Sequence, residues 1–269
     1  NATMKDAALE ALYKAFDSAQ AGLLLADEQC TELPPAQANV QVLTNRVDVA
    51  RRFEAAGYTC SLNDFVLEQD IPARIYYRVS KEKALVHHLI NAALAALPAG
   101  GQLVLSGYKG DGTKTYIEKA CAMVGASKTI QKPGGGALLA IVEKRCEPRQ
   151  KLDDSDYSAL QDIGSEFPLF SKPGVYGWKK IDGGSALLAE QLPAVISALA
   201  SAPKRVLDLG CGYGYLSVMA GRCLPEAHIV ATDNNVTALQ ACEKNFEAHA
   251  ISGETLADDC AGSLTESFD

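Results

Sequence analysis

The chain has 269 residues, of which 48% are hydrophobic and 22% charged, with a net charge of −8. That length and balance fit two ordinary globular domains with sizeable cores, and exclude a disordered or collagen-like chain. No apolar run approaches the roughly 20 residues a membrane-crossing helix needs. No secretory leader pattern opens the sequence, and Asn1-Ala2 ahead of Met4 reads as a tag remnant. The eight cysteines never fall into C-x-x-C, and the four histidines are scattered, so no metal site is expected. They read as reduced thiols of a cytoplasmic protein.

Taken in chain order, residues 4 to about 145 alternate helix and strand. Leu9, Leu12 and Phe16 set a helical period over Ala7 to Ala19, and Gly22 to Asp27 is a short buried strand. Val40 to Leu43 is a second strand, followed by a helix through Val47 to Ala56. Ala73 to Val79 is a strand, Lys81 to Ala96 a helix and Gln102 to Gly107 a strand. A helix over Thr113 to Val124 and a strand over Ala137 to Lys144 close the unit, with Gly134 to Gly136 a plain loop. This order predicts a mostly parallel sheet covered on both faces. The strand Leu23 to Asp27 has no glycine turn behind it, only Glu28-Gln29-Cys30-Thr31-Glu32. The unit is either a duplicated copy of the second half's fold that has lost its ligand turn, or an unrelated α/β domain.

Charge is unevenly spread. Lys109 to Lys151 holds nine basic and four acidic residues, which suits either a phosphate-tracking surface or a solvated lysine-rich face. Cys146 to Asp162 is polar and reads as a linker. Beyond it, Phe167 to Ser185 interleaves aromatics with lysines (Phe170, Lys172, Tyr176, Trp178, Lys179, Lys180). Such a segment can stack bases and neutralise phosphates, or fold down as a hairpin over a neighbouring ligand site. Ser185 is read as the N-cap of a helix from Ala186 to Gln191.

The most informative stretch is Val206-Leu207-Asp208-Leu209-Gly210-Cys211-Gly212-Tyr213-Gly214. It predicts a buried strand running into a glycine turn, then a helix from Tyr215 to Cys223 whose N-terminus points at whatever occupies the turn. The dinucleotide fingerprint G-x-G-x-x-G is incomplete, since Tyr215 and Ser217 stand where its third glycine would fall. Asp208 at the mouth of the turn would repel a pyrophosphate but suits the cationic amino-acid end of S-adenosylmethionine. A second strand, His228 to Asp233, ends in a carboxylate placed to accept ribose hydroxyls, which fits either cofactor. The cofactor expected is S-adenosylmethionine. Cys211 supplies the small side chain that the turn requires.

Pro173-Gly174-Val175-Tyr176, Ile181-Asp182-Gly183-Gly184-Ser185 and the glycine turn together resemble the RsmC-like ribosomal RNA guanine-N2 methyltransferases. The resemblance is strong from Pro173 to Asp233 and weak before Leu97. It implies two tandem Rossmann-like α/β methyltransferase-type domains. A degenerate N-terminal domain would cover residues 1–147, a linker with the aromatic–basic hairpin 148–185, and the first half of the cofactor-binding catalytic domain 186–269. By the same resemblance Asp208, Gly210, Cys211 and Gly212 would line the methionine end of the cofactor, Asp233 would take the ribose, and Asn234 would lie beside the adenine. Asp259, or in the neighbouring register Asp258, would receive the adenine amino group. The family's Asn-Pro-Pro-Phe motif, which would hold the guanine, is expected just past Asp269, so the catalytic domain reads as truncated and its catalytic residues as absent. The chain as it stands is expected to be inactive and to bind cofactor weakly. Gly177-Trp178-Lys179-Lys180 departs from the Arg-Asp-Gly run of relatives, which blurs the choice of rRNA. The expected partner is 16S rRNA or the small ribosomal subunit, with the protein a monomer. A 23S guanine-N2 methyltransferase and a non-enzymatic RNA-binding or assembly module are the alternatives.

Overall fold

In the first half, the fully apolar runs are strands covered on both faces. The computed structural model describes residues 4–35, 39–68 and 70–269, which divide into one unit up to Asp154 and a second from Ser155 to Asp269. In the first unit, β1 (Gly22–Ala26) is buried at every position. It lies between β2 (Val40–Thr44) and β4 (Arg74–Arg78), parallel to both. The edge strand β3 (Cys60–Leu62) extends the sheet beyond β2, and β5 (Gln102–Tyr108) extends it beyond β4. The hairpin of β6 (Gln131–Gly134) and β7 (Ala137–Glu143) then adds antiparallel to β5, giving the order β3-β2-β1-β4-β5-β7-β6. The sheet is mostly parallel, as the alternation requires, and mixed at one edge.

Four helices cover it: α1 (Ala7–Lys14), α2 (Val47–Ala55), α3 (Lys83–Ala96) and α4 (Thr113–Val124). Helix α1 stops at Lys14, short of the Ala19 that the apolar spacing suggests. Phe16 closes a tighter turn onto Tyr13, and the Asp17 carboxylate accepts the Ala19 N–H at 2.9 Å, so the backbone has a local alternative to helix. Helix α4 runs between Gly112 and Gly125, both left-handed, which explains its sharp ends. Two short strands escape the sequence reading. Strand β3 is only three residues long and half-exposed, and β6 contains Pro133 and Gly134, poor strand formers.

The second unit begins inside the stretch expected to be linker. Helix α5 (Ser155–Ser158) and the pair β8 (Gln161–Asp162) and β9 (Phe170–Ser171) precede α6 (Gly183–Ala198). Helix α6 starts three residues earlier than expected, and its cap is Asp182, not Ser185. The Asp182 carboxylate accepts the Ser185 N–H at 2.9 Å, and a charged acceptor outcompetes a hydroxyl for that role. Three parallel strands follow, β10 (Arg205–Leu209), β11 (His228–Asp233) and β12 (Gly253–Ala257), in the order β10-β11-β12. Helices α7 (Tyr215–Cys223) and α8 (Val236–Ala248) connect them. Strand β10 is an edge, with Leu209 58% exposed, and Leu187, Leu188 and Val195 of α6 are exposed as well. Among the described residues no helix is long and apolar enough to cross a membrane.

Among the buried charged groups of the first unit, one carboxyl is incompletely satisfied. Asp27, just past β1, accepts the Gln29 N–H at 2.8 Å through one oxygen, and its other oxygen has no hydrogen-bond partner among the described residues. Burial pushes this carboxyl from an ordinary 3.8 up to about 6. A folded value above the unfolded one makes ionised Asp27 a cost that is absent below about pH 4, grows through pH 6 and then stays constant. At neutral pH it amounts to about 3 kcal/mol at most. Asp27→Asn should therefore be more stable than the parent protein at pH 7, by a margin approaching that figure, and nearly equal to it at pH 4. Urea unfolding at the two pH values measures this; an equal margin at both would exclude the buried-charge account.

Candidate cofactor site

The order of parallel strands and helices places ligands at the carboxyl ends of the strands, and in the second unit the glycine turn lies there. Gly210, Gly212 and Gly214 have φ of +74°, +56° and +91°, backbone that L side chains rarely adopt. A Cβ on Gly210 or Gly212 would meet open space, so the turn presents bare backbone there. A Cβ on Gly214 would instead come within 2.7 Å of Cys242 Sγ on α8. The first two glycines leave room for a ligand, and the third lets a helix pack.

Hydrogen bonds from β11 fix the turn. The N–H groups of Gly210 and Cys211 both donate to the Thr232 carbonyl, each at 2.9 Å. The Gly212 N–H donates to Asp233 Oδ2 at 2.8 Å, and the Asn235 N–H to Asp233 Oδ1 at 2.8 Å. Asp233 thus braces the turn with one oxygen and the start of α8 with the other, and each keeps acceptor capacity. Asp208, on β10, accepts the Ser217 hydroxyl of α7 at 2.6 Å. Burial pushes its carboxyl above the usual range, and the bond from Ser217 partly offsets that. A carboxylate short of solvation beside an open turn is suited to an ammonium or hydroxyl partner.

The remaining expected positions differ among themselves. Asn234 is half-buried next to Asp233. Asp258 is buried, and its carboxylate is engaged by its own loop, accepting the N–H groups of Asp259 and Ser263 and the Ser263 hydroxyl at 2.9–3.0 Å. Asp259 is the half-buried neighbour. Cys211 is buried against Cys242, and that contact together with burial drives its thiol far above the ordinary range, so it fills space and is no nucleophile. No group of His, Cys, Asp and Glu suited to a metal occurs among the described residues.

Several residues of this site carried no weight in the sequence reading. Ser217 orients Asp208. Asn235 caps α8 and donates its side-chain N–H to the Gly174 carbonyl at 2.7 Å. The Tyr213 hydroxyl donates to the Lys180 carbonyl at 3.2 Å. Asn245 is fully buried on the apolar face of α8, and a polar residue interrupting an apolar stripe is the signal that could have exposed it.

In the first unit the unit's own side chains pack beyond the ends of β4 and β5. Arg78, ending β4, donates to Asp6 Oδ2 at 2.8 Å and lies over the Tyr108 ring, whose hydroxyl accepts the Ala7 N–H at 2.9 Å. What remains is an open hollow of about 500 Å³ lined by Lys5, Asp6, Thr31, Glu32 and Tyr108. The basic stretch of this unit is partly neutralised. Lys114 and Lys128 pair with Glu118, Arg145 pairs with Glu143, and Lys144 is buried on the Ala95 and Leu97 carbonyls beside Glu147.

The strand order, the glycine turn and the acid ending the second strand define an α/β methyltransferase fold with a mixed sheet, and residues 166–269 match the family model of the methyltransferase small domain. The chain is similar to proteins named ribosomal RNA small subunit methyltransferase C. It is 29% identical to that of Chromohalobacter salexigens over 70% of this chain and 54% of the relative. It is 25% identical to that of Haemophilus influenzae over 86% of this chain and 66% of the relative. The chain therefore spans between about half and two thirds of the length of these relatives. Among solved structures, the T. thermophilus 16S rRNA N2 methyltransferase RsmC, in complex with AdoMet and guanosine, shares the fold. Its TM-score is 0.81 at 24% identity, over 98% of this chain and 73% of that one.

The packing of the turn can be tested apart from any ligand. Gly214→Ala should destabilise the second unit by about 2–4 kcal/mol, from left-handed strain plus the clash with Cys242. In a Cys242→Ala background, which removes the nearest atom, the same change should cost about 1 kcal/mol less. A double-mutant cycle by urea unfolding measures the difference; strict additivity would place the strain elsewhere.

Proposed function

We propose that this chain belongs to an S-adenosylmethionine-dependent methyltransferase acting on the exocyclic N2 of a guanine in 16S ribosomal RNA. The observation that carries the cofactor assignment is the open glycine turn flanked by two carboxylates, Asp208 and Asp233. Its open side would be filled by a Cβ at Gly210 or Gly212, and its partners are anionic, which suits a cationic ligand and not a pyrophosphate. Asp208 would face the methionine end, Asp233 the ribose hydroxyls and Asn234 the adenine. Asp259 is the preferred partner for the adenine amino group, because Asp258 is already committed to Ser263. The small-subunit substrate rests on the names of the relatives.

On this reading the first unit is a degenerate methyltransferase-type copy. Support comes from its seven-stranded order, its missing glycine turn and the Arg78–Asp6 pair at the end of β4. The protein would act as a cytoplasmic monomer on the RNA or the assembled small subunit.

S-adenosylmethionine, when bound, supplies an electrophilic methyl group; the guanine N2 forms the new N–C bond as the C–S bond breaks, leaving S-adenosylhomocysteine and a released proton. The residues of this chain bind and orient. The turn's backbone fixes one end of the ligand, and Asp208 and Asp233 set its rotation, so that positioning supplies most of the rate gain. The target base must be unpaired or extruded from its stack.

Asp208→Ala should weaken S-adenosylhomocysteine binding by about tenfold or more, the scale of one hydrogen bond to a charged group. Calorimetry on the parent and variant chains measures this, and equal affinity would remove Asp208 from the site. For the substrate, mass spectrometry of digested 16S and 23S rRNA from cells lacking the protein should show an N2-methylguanosine lost from 16S alone. Loss from 23S would redirect the assignment to the large subunit.

A further inference from the structure

The aromatic–basic segment from Phe170 to Lys180 makes only one short strand, yet its backbone is tied down at three places. Phe170 is held by Asn245, whose Oδ1 accepts the Phe170 N–H at 2.7 Å and whose Nδ2 donates to the Phe170 carbonyl at 2.9 Å. The Gly174 carbonyl accepts from Asn235, and the Lys180 carbonyl from the Tyr213 hydroxyl. Between these ties the segment presents Tyr176, 97% exposed, and Lys179, whose ammonium lies 5.6 Å from the Trp178 ring centroid. Exposed aromatics beside cations suit single-stranded RNA.

All three ties lead to the cofactor turn. Tyr213 is part of it, and the Asn235 N–H donates to Asp233, which holds Gly212. Asn245 makes the most direct link, since its second amide proton goes to the Tyr213 carbonyl at 2.6 Å. One buried carboxamide thus pairs with Phe170 as a neighbouring strand would, and grips the turn with the bond left over. No carboxylate or hydroxyl offers two donors and an acceptor in that arrangement.

We infer that Asn245 is a positioning residue that couples the glycine turn to the Phe170–Lys180 segment, so that ligand in the turn and single-stranded RNA on the segment bind cooperatively. This rests on the function proposed above. The chain has one tryptophan, Trp178, and it lies in the segment, so its emission reports RNA binding there. In the parent chain, saturating S-adenosylhomocysteine should tighten binding of a guanine-containing single-stranded oligoribonucleotide about fivefold or more. In Asn245→Ser that factor should fall to about one, while each ligand alone binds within about threefold of the parent; Tyr213→Phe, which cuts only the Lys180 tie, should lower the factor partway. A general loss of structure would weaken both ligands and leave no such split. A parent factor near one, or an undiminished factor in Asn245→Ser, overturns the coupling.

A ligand-free measurement separates this inference from the cofactor assignment. By amide hydrogen exchange, Asn245→Ser should speed exchange at Phe170–Ser171 and at Gly212–Tyr215 together, with β11 unchanged. Loosening at Phe170 alone, or at neither place, refutes the tie. If the parent chain shows no affinity for S-adenosylhomocysteine, the cofactor assignment fails and the exchange result alone decides the role of Asn245. If Asn245→Ser does not fold, Asn245→Asp, which keeps the acceptor to Phe170 and loses both donors, carries the same expectations. An unchanged factor in Tyr213→Phe would remove the Lys180 tie from the coupling and leave it to Asn245.

Discussion

The hydrogen bond from the Gly212 N–H to Asp233 decides the shape of the second unit's glycine turn. A turn with three glycines at positive φ has little to hold it in one conformation, because the freedom that admits the turn also admits many others. Asp233 and the Thr232 carbonyl remove that freedom by taking three successive backbone N–H groups. Both acceptors lie at the end of one strand, β11, so the register of β11 against β10 sets the geometry of the turn. A one-residue slip would put Thr232 or Asn234 where the carboxylate belongs.

In the first unit no such brace is present among the described residues. Asp27 stands just past β1, but the following residues offer no left-handed glycine, and the carboxylate turns to the N–H of Gln29 two residues on. The Arg78–Asp6 pair lies between the end of β4 and the start of α1. A buried acid then remains that no ligand and no adjacent cation fully offsets, which is why its carboxyl is pushed upward. Both units place three neighbouring strands in parallel, but a helix joins β10 to β11 while none joins β1 to β2 among the described residues.

How much was legible in the sequence follows from how local each signal is. The bounds of α4, α7 and β11 coincide with those read from apolar runs and glycine punctuation, because each is set by residues within or adjacent to it. The place of the glycine turn was legible for the same reason. Strand β3 was not, since three half-exposed residues become a strand only through pairing with β2. The ties from Asn245, Asn235 and Tyr213 were hidden too: their partners lie between 32 and 75 positions away in sequence. Spacing back from Phe268-Asp269 favoured Asp259 over Asp258, but it could not show how each is engaged. The choice depends on Ser263 folding back onto one of them, and that is a matter of loop closure.

The edge formed by β10 is handled unevenly along its length. At its start the Asp269 carboxylate accepts the N–H groups of Lys204 and Arg205, and the Asp269 N–H donates to the Arg205 carbonyl. Arg205 also pairs with Glu266 and stacks on Phe268. Further along, toward Leu209, β10 has no strand beside it on that side among the described residues. A bare apolar border of this kind is a template on which another chain can add a strand. The register of β10 along that border is thus held at one end, by Asp269, and left open to a pairing strand at the other.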